Sequence, residues 1–252
     1  MGPMLTPTQI REFWDNGFLT VSGVFTTAQV AEARHLIEPM FESFAAQGQD
    51  PTRDIDIGAI GGRPRGSQQP EIDKPSRRQA ALAQTQMYQL TQELACSLLG
   101  HPAHYLFDHV IRKMPRSSTV TAWHQDQAYL GKGIELGSVN FWIPLQAVDE
   151  SNGTLFYAPR THLEGLRPHQ RSASLHPHVL SVAAPLNTPV PCVLNEGDLT
   201  VHHPLTLHHA GPNHSNRTRT AWGIHFGPHG RLAYFAPRNV LGIIRRHLEP
   251  AD

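Results

Sequence analysis

The strongest constraint on the fold is a change of sequence pattern near residue 104. After that point, short runs of β-branched and aromatic residues are separated by turn clusters such as DESNG and GPNHSN. Within SVNFWIPL, residues 138–145, large apolar side chains occupy alternate positions, which is the period of a strand. The preceding residues instead carry apolar side chains at helical spacing. Helices followed by strands predict an α+β, mainly β fold, with N-terminal helices packed outside a sandwich or jelly roll.

The chain is expected to form one domain over residues 1–252. Residues 1–100 would be mainly helical support, and residues 104–236 would form the β core. The segment 48–77 is rich in glycine, proline and charge, so we expect a lid-like loop there. The sequence shows no internal repeat, and no linker divides it into two globular halves.

Overall charge argues against two classes of partner. The 21 acidic residues balance the 21 basic ones, so no general affinity for nucleic acid or an anionic membrane is expected. Charges and prolines interrupt every apolar segment, so no membrane span is predicted.

The two cysteines, Cys96 and Cys192, are too few to cross-link a chain of this length, and the first residues do not resemble a secretory signal. A cytoplasmic protein is expected.

The stretch AWHQDQAYLG, residues 122–131, places His124 and Asp126 two positions apart. On a strand, residues two apart point to the same face, so one imidazole and one carboxylate could reach a single ion. By itself the pair is weak evidence for a metal site, and an exposed polar strand is the more ordinary interpretation. A second histidine from elsewhere would complete the facial triad of non-haem Fe(II) oxygenases, which leaves metal positions open.

The second half of the chain offers several candidates for that histidine and for an anion-binding arginine. The segment 197–230 contains seven histidines, at positions 202, 203, 208, 209, 214, 225 and 229. It also contains Arg217 and Arg219, either of which could pair with a carboxylate. In RTAWGIHF, Arg219 shares its strand face with the small residues Ala221 and Gly223, and the opposite face is bulky. That asymmetry indicates a strand that lines a cavity.

Four segments in this order resemble the phytanoyl-CoA dioxygenase family of Fe(II)/2-oxoglutarate-dependent oxygenases. They are AWHQDQAYLG, VNFWIPLQAVDESNGTLFYAPRTHLEG, EGDLTVHH and LHHAGPNHSNRTR. The opening LTPTQIREFWDNGFLTVSGVFT is also similar to that family's first helix and strand. The resemblance covers most of the chain outside residues 48–77 and the tail. It implies a double-stranded β-helix, which is a cupin-like jelly roll.

The resemblance also implies a set of site residues. The proposed metal ligands are His124, Asp126 and His208, with Arg219 on the distal carboxylate of the cosubstrate and Trp142, Tyr129 and Lys113 lining the pocket. His208 is selected because HHAGPN matches the family's distal segment, and Arg219 lies eleven residues beyond it. Two departures are visible. Ala210 stands where the family has serine, and PRTH replaces the family's Pro-Gly-Ser-His.

The activity implied by the resemblance is oxidation of a small-molecule substrate with Fe(II), 2-oxoglutarate and O2. Related halogenases have a small residue in place of the carboxylate, so Asp126 favours hydroxylation, desaturation or ring chemistry over halogenation. Two other readings remain at this point. One is a cupin-type metal enzyme that does not use 2-oxoglutarate, and the other is a non-catalytic metal-binding protein.

Overall fold

The fold is taken from a computed structural model, which describes residues 4–47, 54–56, 69–130, 137–171 and 180–228. Across those ranges, no helix combines the length and apolar character needed to cross a membrane. Cys96 and Cys192 are both free thiols.

The N-terminal helices begin and end at residues that stabilise helix termini. Thr6 caps α1 through its hydroxyl and Gln9, and Gly17 ends the helix in the left-handed conformation. Thr85 caps α4 in the same way, and Gly100 ends it. The helices are α1 (Pro7–Asn16), α2 (Thr27–Gln47), α3 (Pro75–Arg78) and α4 (Gln86–Leu99).

The strands fall mainly after residue 104, as predicted. They are β1 (Phe18–Val21), β2 (Asp54–Asp56), β3 (Pro70–Asp73), β4 (His104–Lys113), β5 (Thr121–His124), β6 (Val139–Pro144), β7 (Leu155–Tyr157), β8 (Gln170–Arg171), β9 (Leu180–Ser181), β10 (Val190–Pro191), β11 (Leu199–His202), β12 (His208–Ala210) and β13 (Arg219–Gly227). Three- and four-residue turns of 3₁₀ helix follow β5 and β7.

Two antiparallel sheets form the β part of the fold. The larger has the strand order β1-β11-β6-β13-β4-β3-β2, and the smaller has the order β10-β7-β12-β5. Strands that are distant in sequence lie side by side in both sheets, which is the connectivity of a double-stranded β-helix. A third pair, β8 and β9, forms a separate two-stranded sheet.

The faces of the larger sheet follow the alternation in the sequence. One face packs into the main apolar core together with α1, α2 and α4, and its β6 and β13 members are Val139, Phe141, Ile143, Trp222, Ile224 and Phe226. Trp142 and Ala221, from the opposite face of the same strands, belong to a second apolar cluster with Tyr157 of the smaller sheet. The larger sheet therefore separates the helical core from the interior of the barrel.

The expected loop at 48–77 is partly regular structure. Pro70–Asp73 pairs with β4, and Pro75–Arg78 is a short helix. The buried carboxylate of Asp108 on β4 accepts hydrogen bonds from the Ser76 backbone at 3.1 Å and from the Trp222 indole at 3.0 Å. These bonds tie the end of the segment to the larger sheet. Asp54–Asp56 is also a strand, and the rest of the segment lies outside the described residues.

Gly197, just before β11, allows the backbone there to pack closely against the backbone of Phe25. Its φ is +97°, and a Cβ at this position would lie 2.3 Å from the Phe25 carbonyl oxygen. We expect Gly197→Ala to lower the free energy of unfolding by about 3 kcal/mol or more, because left-handed strain adds to a backbone clash. Gly23 also has a positive φ, but no described atom lies within 4 Å of its added Cβ. Gly23→Ala should cost about 1 kcal/mol. Urea denaturation of both variants checks the difference, and equal losses would contradict it.

Candidate functional site

Strand pairing brings His124 and His208 together. They are direct partners across β5 and β12, and their ring centroids are 4.1 Å apart. The Nδ1 of His124 lies 2.8 Å from the Ala122 carbonyl, and the Nδ1 of His208 lies 2.9 Å from the Thr206 carbonyl. Because a carbonyl only accepts, each Nδ1 carries the proton and donates it, which leaves each Nε2 with a lone pair.

Asp126 joins these two imidazoles because the chain stays extended through Gln125 and then turns. Gln125 has φ −119° and ψ 129°, and a 3₁₀ turn starts at Asp126. The Gln125 side chain points away from the histidines, and its amide donates to the Gly165 and Leu205 carbonyls at 2.9 and 2.7 Å. Asp126 Oδ1 lies 3.6 Å from His124 Nε2 and 3.5 Å from His208 Nε2. Both separations exceed a normal N–H···O hydrogen bond of about 2.7–3.2 Å.

The protonation states of these groups suit a cation. Burial alone raises the pKa of Asp126, but the surrounding imidazoles, His208 foremost, outweigh it and hold the pKa well below 3.8. Burial lowers the pKa of His208 well below 6.5, with His124 adding to the effect. At neutral pH the site therefore presents a carboxylate and a neutral imidazole, which are the forms that bind metal ions.

The three side chains meet the requirements of a metal site. One ligand atom from each of His124, Asp126 and His208 lies within 4.8 Å of the others. Two imidazoles and one carboxylate form the facial arrangement that non-haem Fe(II) oxygenases use, and it leaves coordination positions for other molecules. The chemistry of the donor set therefore fits iron.

Arg219 lies inside the barrel with no acidic partner among the described residues. Its side chain is 2% exposed, and its Nε has no hydrogen-bond partner. Burial lowers the pKa of Arg219 to about 9, so the guanidinium is still charged at neutral pH. A buried charge without a counter-ion is unfavourable, so the position favours an anionic ligand. Arg217, the other candidate, is exposed.

Lys113 adds a second buried cation beside Arg219. The two residues are direct partners across β4 and β13, and Lys113 is fully buried. Its ammonium donates to the carbonyls of Thr119 at 3.0 Å, Ala210 at 3.2 Å and Gly211 at 2.5 Å. Since an ammonium has three protons, these carbonyls account for its donors. A direct bond from Lys113 to a cosubstrate would require one of them to break. Burial, with the neighbouring Arg219 adding to it, lowers the pKa of Lys113 well below 10.5.

The structure places the two aromatic candidates differently. Trp142 is 5% exposed, and its ring lies 5.6 Å from the Arg219 guanidinium carbon. Tyr129 is 50% exposed, with its ring 6.0 Å from that of His124 and its hydroxyl accepting from the Leu180 backbone at 2.7 Å. Trp142 thus lies at the buried arginine, and Tyr129 lies at the rim beside the histidines.

Three other described histidines of the segment 197–230 lie outside the triad. They are His209, His214 and His225. His209 stacks between Trp123 and Phe156, with ring centroids 4.2 and 4.8 Å away, and His214 is exposed. His225 is buried on the inner face of β13, and its Nδ1 has no hydrogen-bond partner among the described residues. His229 lies outside the described residues. None of these three described side chains belongs to the cluster of ligand atoms.

The fold brings two further groups near the site: His202, which was one of the candidate histidines but received no role from the sequence, and the pair Glu71 and His109, which the sequence did not indicate. His202 on β11 lies 2.9 Å from Asp126 Oδ2 through its Nε2. Glu71 and His109, on the neighbouring strands β3 and β4, are joined by a hydrogen bond of 2.6 Å, and both side chains are under 20% exposed. No local pattern marks either group, because each is defined by strands that pair across large sequence separations.

A family model described as Phytanoyl-CoA dioxygenase (PhyH) matches residues 13–221. The peroxisomal phytanoyl-CoA dioxygenase of Bos taurus is 23% identical over 232 residues, which cover 88% of this chain and 68% of the bovine protein.

Two solved structures have a fold similar to that of this chain. EvdO2 from Micromonospora carbonacea var. aurantiaca, complexed with 2-oxoglutarate, has a TM-score of 0.71 at 24% identity, over 90% of this chain and 93% of that one. SnoK, described as a non-heme alpha ketoglutarate dependent carbocyclase from nogalamycin biosynthesis, has a TM-score of 0.69 at 21% identity, over 100% and 95% of the chains. These similarities establish the double-stranded β-helix fold.

Proposed function

The chain belongs to the phytanoyl-CoA dioxygenase family of non-haem iron, 2-oxoglutarate-dependent oxygenases, and from that premise we propose that it hydroxylates an unactivated C–H bond of a small-molecule metabolite. The observation that carries the proposal is the approach of His124, Asp126 and His208 to within 4.8 Å of one another. These three side chains would hold Fe(II). When bound, the iron with 2-oxoglutarate and O2 supplies the oxidising power to break the C–H bond, with succinate and CO2 as co-products.

The residues of the chain have separate tasks in this scheme. The backbone carbonyls of Ala122 and Thr206 fix the rings of His124 and His208, so that both Nε2 lone pairs are available before metal arrives. Asp126 supplies the negative charge. Because the triad occupies only one face of an octahedral ion, the opposite side is left for cosubstrate and dioxygen.

Arg219 would bind the distal carboxylate of 2-oxoglutarate. Its planar guanidinium can form two parallel hydrogen bonds to a carboxylate, and Lys113 is its direct partner across β4 and β13. Trp142, 5.6 Å from the guanidinium, would pack against the carbon chain of the cosubstrate and exclude water. The buried dicarboxylate would provide the counter-ion that Arg219 lacks within the described ranges.

The lining beside the metal site favours a polar substrate. Glu71 and His109 form a hydrogen-bonded pair on the inner face of the larger sheet, and the ring of His109 occupies the space above Gly223. His225 and Asn140, which are direct partners across β13 and β6, each leave one buried polar atom without a hydrogen-bond partner in the part of the chain that the structure describes. Buried polar atoms of this kind are satisfied by ligand hydroxyl or amide groups. A small biosynthetic metabolite with polar groups therefore suits these lining residues better than a long acyl chain does.

The free cysteines suit a reducing, cytoplasmic setting, which we propose as the location. Cys192 is buried beside β10, and burial raises the pKa of its thiol to about 12. Such a thiol is almost entirely protonated at neutral pH and reacts slowly.

Anaerobic titration with Fe(II) tests the oxygenase assignment. A visible charge-transfer absorption should appear only when Fe(II) and 2-oxoglutarate are both present, because it reports the cosubstrate bound to the metal. Metal binding without this absorption would favour a cupin-type enzyme that does not use 2-oxoglutarate. Several equivalents of metal bound with no dependence on His208 would favour a metal-binding protein without catalytic activity. Succinate release, followed with pooled polar metabolites and with acyl thioesters, then narrows the substrate class.

A further inference from the structure

His202 lies at the centre of a buried chain of hydrogen bonds that ends at the metal site. It is the last residue of β11, is 1% exposed and pairs with Phe18 on one side and Asn140 on the other. Its ring is 4.4 Å from that of His208. A histidine this close to the proposed ligands could act as a further ligand, as a packing residue or as a support for one of them.

The hydrogen bonds of His202 decide between these roles. Its Nε2 lies 2.9 Å from Asp126 Oδ2, and its Nδ1 lies 2.8 Å from the Tyr157 hydroxyl. A carboxylate only accepts, so Nε2 carries the proton and donates it to Asp126. Nδ1 is engaged by the Tyr157 hydroxyl, which can donate or accept. Asn140 Nδ2, 3.2 Å from Nε2, is another donor, so that approach is a contact rather than a hydrogen bond.

The two oxygens of Asp126 consequently have different surroundings. Oδ2 accepts from His202 and from Asn140 Nδ2, which lies at 2.8 Å. Oδ1 faces His124 and His208 at 3.6 and 3.5 Å. The hydrogen bonds to Oδ2 therefore set the rotation of the carboxylate and turn Oδ1 toward the position between the two imidazoles.

We infer that His202 is a positioning residue. Tyr157 orients its ring, and the ring in turn holds the Asp126 carboxylate so that Oδ1 alone faces the metal. This inference rests on the proposed iron site and assigns His202 a role outside the ligand set. Both ring nitrogens are engaged, Nε2 as a donor to Asp126 and Nδ1 with the Tyr157 hydroxyl, so neither has a lone pair free for a metal. With Oδ2 engaged by two donors, Asp126 occupies one coordination position and leaves the remaining ones open.

The test measures metal binding directly. Dissociation constants for Co(II), a spectroscopic substitute for Fe(II), are determined for the wild-type protein, His202→Phe and His202→Gln. Loss of a supporting hydrogen bond to a ligand typically weakens metal binding about 10- to 100-fold, which is the loss expected for His202→Phe. His202→Gln can place an amide donor where Nε2 lies, so it should recover most of the affinity. His209→Phe is the matched control, because His209 stacks on Phe156 away from the triad, and its Co(II) affinity should match wild type.

Paramagnetic proton NMR of the Co(II) protein provides a readout that packing alone would not change. Each histidine bound through Nε2 keeps an Nδ1 proton that exchanges with water, so two hyperfine-shifted exchangeable ring signals are expected, from His124 and His208. Three such signals in the wild type would make His202 a ligand and overturn the inference. Equal Co(II) affinity in wild type and His202→Phe would overturn it as well. A wild-type protein that binds no Co(II) at this site would instead contradict the proposed function. If His202→Phe does not fold, Tyr157→Phe carries the comparison, and a wild-type Co(II) affinity and absorption spectrum in that variant would reject the role.

Discussion

Replacing His208 with alanine should abolish the charge-transfer absorption of the Fe(II)–2-oxoglutarate complex and all 2-oxoglutarate turnover. The variant removes one of three proposed ligands and leaves a cavity on β12, so two ligand atoms remain from β5 and the turn after it. Loss of a supporting residue costs about 10- to 100-fold in metal affinity, so loss of a ligand should exceed 100-fold. Anaerobic titration at fixed 2-oxoglutarate, followed by visible absorption, measures the change.

The control is the adjacent histidine. His209→Ala removes the same chemical group one residue away, but His209 packs between Trp123 and Phe156 and contributes no atom to the triad. It should retain the absorption. Asp126→Ala should behave like His208→Ala, and burial of both positions makes a thermal melt of each apo protein necessary. A folded His208→Ala protein with wild-type Fe(II) and 2-oxoglutarate binding would reject the triad.

Much of the fold could be predicted because local sequence patterns reflect the faces of its elements. Alternation in β6 and β13 separates residues of the helical core, such as Phe141 and Trp222, from those inside the barrel, such as Trp142 and Ala221. Thr6 and Gly17 mark the ends of α1 by chemistry that is local to the helix. Within the loop expected at 48–77, Pro70–Asp73 is a strand, because this strand depends on pairing with β4 and not on a local pattern of its own sequence.

Only part of the candidate site could be predicted from local sequence patterns. His124 and Asp126 share a face for a local reason, which is the extended backbone at Gln125. The pairing of His124 with His208 joins strands far apart in the sequence, and no local period encodes it. The hydrogen bond from His202 to Asp126 also depends on strand order. For Lys113, residue type alone does not reveal that three backbone carbonyls already accept from its ammonium.

Replacing Arg219 with methionine should separate binding of the cosubstrate from binding of the metal. Removing one partner of a buried, hydrogen-bonded charge pair costs about 2–5 kcal/mol, so 2-oxoglutarate affinity should fall roughly 30- to 4,000-fold. Fe(II) or Co(II) binding should remain near wild type, because Arg219 contributes no atom to the triad. Arg217→Met removes the same charge from an exposed position of the same segment and should leave both affinities unchanged.

Thermal stability offers a second measurement of the same prediction. Loss of a purely structural arginine would lower the melting temperature of the ligand-free protein, whereas loss of Arg219 should not. In the apo protein the Arg219 guanidinium is buried beside Lys113 without an acidic partner among the described residues, so removing its charge should not destabilise the fold. Melting temperatures without ligand should therefore be equal or higher in Arg219→Met. Saturating 2-oxoglutarate should raise the melting temperature of wild type and of Arg217→Met, but not of Arg219→Met at the same concentration. If Arg219→Met instead melts lower without ligand and keeps the full 2-oxoglutarate shift, Arg219 supports the barrel and the anion binds elsewhere.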